Sequence, residues 1–130
     1  MEQSAPRPAS LGRAEIGSAG EELVAQDLRR KGYTVLTLNY TKPYGEIDVI
    51  ARRDDMLIFV EVKTRTKNYF DPAELVTPAK QKRILTAASS YIFENNYDTM
   101  ACRFDIALIS WHATTPTITY LHDAFGSTAY

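Results

Sequence analysis

Gly45-Glu46-Ile47-Asp48-Val49-Ile50-Ala51, followed across a short charged turn by Phe59-Val60-Glu61-Val62-Lys63, decides how this chain is read. Both runs alternate as the two strands of a β-hairpin do, because successive side chains point to opposite sides of a sheet. Ile47, Val49 and Ala51 against Ile58, Val60 and Val62 make one apolar face. Glu46, Asp48 and Ile50 against Leu57, Phe59, Glu61 and Lys63 make the other. With the turn centred on Asp54-Asp55, Asp48 falls opposite Glu61, and Glu46 opposite Lys63. Like charges facing each other across a ladder are unfavourable. Such a pair is either opened to water or bridged by a cation, and oxygen donors of this kind suit hard divalent ions such as Mg²⁺ or Mn²⁺. Any half-exposed hairpin alternates too, so the pattern alone leaves a solvated face and a metal site both open.

At 130 residues the chain has the length of one domain with a single core. Its apolar runs are too short to cross a bilayer, and Met1 to Ser10 lacks the apolar stretch of a signal peptide. Cys102 is the lone cysteine, so neither an internal disulfide nor a thiolate metal site is expected. The expectations are a cytoplasmic protein with no membrane partner, and a small buried side chain at Cys102. A net charge of −1 argues against nucleic-acid binding by bulk electrostatics. The distribution says more: from Val62 to Arg83 six cations stand against two anions, and from Ile84 onward one cation stands against four anions. A basic middle therefore adjoins the carboxylate hairpin, with a plain solvated face as the alternative reading.

Residues 1–10 read as a disordered leader and residues 11–130 as a single domain. From about Leu11 to Lys31, Ile16, Leu23, Val24 and Leu28 recur at helical spacing, and Gly32 is a C-terminal stop. Gly17 and Gly20 cost a helix roughly 1 kcal/mol each relative to alanine, which implies a later start or the close approach of another backbone. Glu21 lies on the margin of the buried stripe, and Glu22 points toward water. Tyr33 to Tyr40 reads as a strand, Lys42-Pro43-Tyr44-Gly45 as a turn, and Thr64 to Val76 as a long loop. Thr77-Pro78 is an N-cap and first helical position, opening a helix to about Asn95 or Asn96 with Ile84, Ala88, Tyr91 and Ile92 on one face. Its first turns hold Lys80, Lys82 and Arg83, the wrong sign for the positive end of a helix dipole and the right sign for an incoming phosphate. Phe104 to Ser110 and Thr117 to His122 are two more strands, with Asp123 to Tyr130 trailing off. The order α-β-β-β-α-β-β gives an α/β fold, a mixed sheet flanked by helices.

Glu21, the Gly45-Glu46-Ile47-Asp48 run, Glu61-Val62-Lys63 and Arg103-Phe104-Asp105 together resemble the YraN-like family of small bacterial proteins, from about Leu11 to Phe125. That family looks like a branch of the PD-(D/E)xK nuclease superfamily, similar in pattern to archaeal Holliday-junction resolvases. The resemblance implies a restriction-endonuclease-like αβββαβ core and a metal-dependent endonuclease that hydrolyses phosphodiester bonds of nucleic acid, DNA rather than RNA, with branched recombination or repair intermediates among the candidate substrates. By position, Asp48 corresponds to the first acidic ligand, Glu61 to the second, Lys63 to the motif lysine and Glu21 to the helix-one glutamate of the resolvase-like branch. Ile47 stands where the superfamily pattern has proline. Asp48, Glu61 and the carbonyl of Val62 would hold Mg²⁺ or Mn²⁺, with Glu21 as an outer or second-site ligand. Lys63 would orient the attacking water or stabilise charge at phosphorus. Arg65, Lys67, Lys80, Lys82 and Arg83 would hold the nucleic-acid backbone without reading sequence. Resolvase-like relatives often act as dimers, so a homodimer is an expectation. Glu46 would tune Lys63 or form a plain salt bridge with it, and Asp105 reads as a strand-end partner for Arg103 or a peripheral site residue. Two alternatives stand beside the enzyme: a nucleic-acid-binding module with weak or no nuclease activity, and a protein-interaction domain.

Overall fold

The hairpin closes where its charges predict. A two-residue turn at Asp54-Asp55 joins Arg53 to Met56, with Asp54 left-handed at φ 55°, a conformation aspartate tolerates better than most residues. A computed structural model describes residues 13–65, 76–111 and 115–126 of the chain. The expected leader, Lys67 and most of the expected long loop lie outside these residues; Thr64 and Arg65, assigned to that loop from sequence, instead end a strand.

Among the described residues seven elements run in the expected order: α1 (Arg13–Arg30), β1 (Thr34–Lys42), β2 (Gly45–Arg53), β3 (Met56–Arg65), α2 (Pro78–Glu94), β4 (Ala101–Trp111) and β5 (Pro116–Phe125). Gly32, at φ 96°, ends α1 by letting Tyr33 N–H reach back to the Leu28 carbonyl at 2.9 Å. Thr77 caps α2, its hydroxyl accepting the Lys80 N–H at 3.2 Å, with Pro78 behind it. The five strands form one sheet in chain order; β3 and β4 are parallel and the other neighbours antiparallel. A parallel pair needs a crossover, and α2 lies within it.

One helix covers each face. Val24 and Leu28 of α1 share a core with Val49, Ala51, Ile58, Val60, Ala107 and Ile109, while Ile84, Ala87, Ala88 and Tyr91 of α2 pack on Ile47, Ile50, Leu57, Phe59 and Phe104. The hairpin therefore has two buried faces, where the sequence predicted one apolar face and one polar. Ile47 is a second correction, because it packs on the α2 side although Val49, two residues on, packs on the α1 side. A regular strand would keep them together. The neighbouring strand switches at the same level, Leu38 toward α1 and Tyr40 toward α2, with Asn39 between them left-handed at φ 54°. Two smaller expectations also fail. The last strand continues to Phe125 through a bulge opposite Phe104–Ile106, and Cys102, the second residue of β4, is exposed. No helix among the described residues is long and apolar enough to cross a membrane.

Candidate functional site

The predicted register of the hairpin holds, but its ladder stops one step before the two acids meet. Paired residues run from Arg53 and Met56 to Val49 and Val60; beyond that point β2 stays with β1 as far as Gly45 and Lys42, and β3 stays with β4 as far as Arg65 and Ser110. The sheet forks. Asp48 on one prong sends its carboxylate across the gap, where Oδ2 accepts the Val62 N–H of the other prong at 2.8 Å. A side chain has taken the place of a backbone partner, which satisfies that N–H while the strands part.

Two glycines hold the prongs to opposite helices. A Cβ on Gly45, in β2, would collide with the Arg83 carbonyl of α2. A Cβ on Gly20, in α1, would lie 2.5 Å from Thr64 Oγ1 and 3.1 Å from Ile109 Cδ1, against β3 and β4. Neither alternative drawn from the two glycines holds as stated: α1 runs through both, side chains rather than another backbone come close at Gly20, and Gly17 has open space around it. The first contact brings the opening turn of α2 over the fork, and the second brings Glu21 to Asp48 from the other face. The fork also lies at the carboxyl end of the parallel strand β3, where open α/β sheets tend to bind ligands.

The electrostatics are unbalanced. Asp48 and Glu61 are buried, 7% and 4% exposed, and near enough to hydrogen-bond each other. Burial, then the Glu61 charge, push the Asp48 carboxyl up to about 8 against the opposing Val62 N–H, with Glu21 adding to the rise. Glu21 is raised as well, first by burial and then by Glu46 and Glu61, although Asn39 hydrogen-bonds it. Lys80 reaches in from α2 and puts Nζ 2.7 Å from Glu61 Oε2. Burial works against its charge, but Glu61 outweighs it and holds the ammonium above the usual lysine range. Lys63 goes the other way, lowered by its own burial and by the Lys80 charge.

The structure therefore gathers Glu21, Asp48, Glu61, Lys63 and Lys80. Glu46 is exposed, and it is not paired with Lys63 in the ladder as the extrapolated register predicted, because the ladder ends first. Lys82 and Arg83 lie exposed on the next residues of α2, and Arg65 ends β3. Sequence reasoning missed two features. Asn39, a turn-favouring residue within a β-branched and aromatic run, was the only local signal for the strand switch. The assignment of Lys80 to Glu61 had no local signal at all, since it depends on where α2 docks.

As the side chains stand, no group of three His, Cys, Asp and Glu residues among those described is gathered closely enough to hold a metal ion. Two buried carboxylates, short of positive charge and with an ammonium already on one of them, nonetheless form a donor set chemically suited to a hard divalent cation.

The model of the uncharacterised protein family UPF0102 matches residues 20–109. This chain belongs to that family. A UPF0102 protein of Myxococcus xanthus is 38% identical over 120 residues, covering 92% of this chain and 95% of its own. One of Rhodococcus opacus is 40% identical over 112 residues, covering 85% and 95%, and one of Clostridium perfringens is 39% identical over 113, covering 85% and 93%. This is the YraN-like family expected from the motifs. The UPF0102 match begins at the glycine that docks α1 and spans Glu21, Asp48, Glu61, Lys63 and Lys80.

Proposed function

We propose that the fork is the centre of a divalent-metal-dependent nuclease of the PD-(D/E)xK type, built on a restriction-endonuclease-like core similar to that of archaeal resolvases. The observation that supports it most is the pair Asp48 and Glu61, buried on opposite prongs of a split hairpin with too little positive charge between them. A fold does not retain such a pair for stability, since one of the two acids must keep a proton or both charges must be buried together, a cost that an apolar pair would not carry.

In this reading Asp48 and Glu61, with the Val62 carbonyl, hold Mg²⁺ or Mn²⁺, and Glu21 acts from α1 through the outer shell. The bound ion would acidify a water and polarise the scissile phosphate. Lys63, two residues from Glu61 and made easier to deprotonate by burial and by Lys80, orients the attacking water or meets charge developing at phosphorus. Lys82 and Arg83, exposed near the positive end of α2, contact the nucleic-acid backbone together with Arg65 and Lys67. DNA is the substrate class in this reading, with branched intermediates among the candidates, acted on in the cytoplasm by a homodimer.

A second reading, a nucleic-acid-binding module with little or no turnover, draws on the ammonium covering Glu61. Incubating branched, flapped and linear DNA and RNA with Mg²⁺ or Mn²⁺ separates the two. The nuclease reading expects cleavage that Asp48→Asn and Glu61→Gln lower by about 10³-fold or more, in line with the loss of a principal transition-state contact. Binding without cleavage on every substrate, or cleavage untouched by both substitutions, would rule it out.

A further inference from the structure

We propose that Lys80 is a tethered counter-cation of the fork: its ammonium holds Glu61 in the metal-free protein and must leave that carboxylate when a divalent ion binds. The inference rests on the reading of Asp48 and Glu61 as metal ligands, and it assigns Lys80 to regulating cation access rather than to standing contact with phosphate.

Lys80 Nζ lies 2.7 Å from Glu61 Oε2, the distance of a charge-assisted hydrogen bond. Its side chain is 40% exposed while that of Glu61 is 4% exposed, so the pair has a fixed acidic end and a mobile basic end with open water beside it. Asp48 and Glu46 also attract the ammonium, which makes it the local answer to the whole acidic group. Lys63, the nearer lysine in sequence, has no ion pair among the described residues and feels Lys80 as a like charge. A hard cation seated between Asp48 and Glu61 would have to share Glu61 with an ammonium a few ångströms away, and two positive charges at such range repel strongly in a half-buried site.

The tether is built into the fold. Lys80 sits in the first turn of α2, which the Thr77 cap fixes at one end and the contact of Gly45 with the Arg83 carbonyl fixes against the acidic prong. The helix stays where it is while a flexible four-carbon stem swings. Once released, the ammonium stands beside Lys82 and Arg83 at the helix end, where a phosphate would be drawn. Cation loading and the appearance of a further backbone contact are thereby coupled.

Mn²⁺ alone is the probe. Its free hexaaqua signal in electron paramagnetic resonance, followed in a buffer at about pH 7.5 where Mn²⁺ stays in solution, gives the affinity of the wild type and of Lys80→Met and Lys80→Arg. The methionine keeps length and helix propensity, and melting curves check its fold. The expected result is Mn²⁺ affinity about tenfold tighter in Lys80→Met and near wild type in Lys80→Arg, the size expected for removing one competing charged hydrogen bond. In the wild-type protein, Mg²⁺ should raise acylation of the Lys80 amine, read by mass spectrometry against Lys42 as internal reference. Tight wild-type binding that Lys80→Met leaves unchanged or weakens would overturn the inference, as would unaltered Lys80 acylation at saturating Mg²⁺. No Mn²⁺ binding by wild type and Lys80→Met alike would instead sink the metal reading beneath it.

Discussion

Two buried aspartates lie two strands apart in this sheet, Asp48 on β2 and Asp105 on β4, and they are handled in opposite ways. Asp105, 2% exposed, accepts N–H bonds from Arg103 Nε and Nη2, each at 2.9 Å, and from the Asp123 backbone at 2.8 Å, with His122 Nδ1 at 3.1 Å. Burial alone would raise its carboxyl, but these partners hold it below the usual range. Asp48, 7% exposed, has one backbone N–H and two neighbouring glutamates, and its carboxyl is driven up to about 8. One acid is satisfied and the other is frustrated. A buried charge with complete partners is explained by the fold; one that keeps like charges for company calls for something the fold alone does not supply. The Arg-Phe-Asp landmark thus resolves into a strand-end structural pair, and the Glu-Ile-Asp run into the candidate site.

The sharpest way to break the comparison is to remove each charge in turn. Asp105→Asn leaves Arg103 with a neutral partner in a half-buried setting and should cost about 3 kcal/mol, measured by urea unfolding at neutral pH. A loss no larger than that of an exposed substitution would dissolve the contrast.

The helices that flank the fork come next. Gly45→Ala drives a methyl into the Arg83 backbone, which cannot rotate away, and should cost about 2 kcal/mol while pulling Lys80 off Glu61. Gly20→Ala meets a threonine hydroxyl that can turn aside, so about 1 kcal/mol is expected. Unfolding curves of the two variants side by side test the ranking, and the reverse order would show that α1, not α2, is the stiffer dock.

The smallest effect is the most specific. Asp48 is raised from 3.8 to about 8, so between those values the folded protein holds a proton that the unfolded chain has lost, and stability falls as pH rises through that window. Asp105 is lowered, so its contribution is present above 3.8 and disappears as pH falls through its folded value. Asp48→Asn should therefore flatten the decline between 3.8 and about 8 and leave the loss at lower pH alone, with a gain of about 1 kcal/mol once the window is passed. Melting curves across pH read both limbs at once; an unchanged slope between 3.8 and about 8 would mean Asp48 is not the strained group.

Much of this was legible in the chain. Alternation in Gly45–Ala51 and Phe59–Lys63 located the hairpin, Asp54-Asp55 its turn, Gly32 the end of α1 and Thr77-Pro78 the start of α2, because each signal is a local steric or hydrogen-bonding preference. The same alternation misled at Ile47. Side-chain parity assumes a regular strand, and the left-handed Asn39 with the parting of β2 from β3 breaks that assumption where the acids sit.

By itself, then, the sequence determined the order of elements, the register of the hairpin and the identity of the acids and lysines that could do chemistry. Those follow from interactions within a few residues or across one turn. Only the tertiary structure decided that the ladder stops at Val49 and Val60, that Asp48 replaces a backbone acceptor, and that Lys80 rather than Lys63 holds Glu61. These depend on two helices docking from opposite faces at Gly20 and Gly45, contacts between residues far apart in the chain, for which no local pattern encodes the distance.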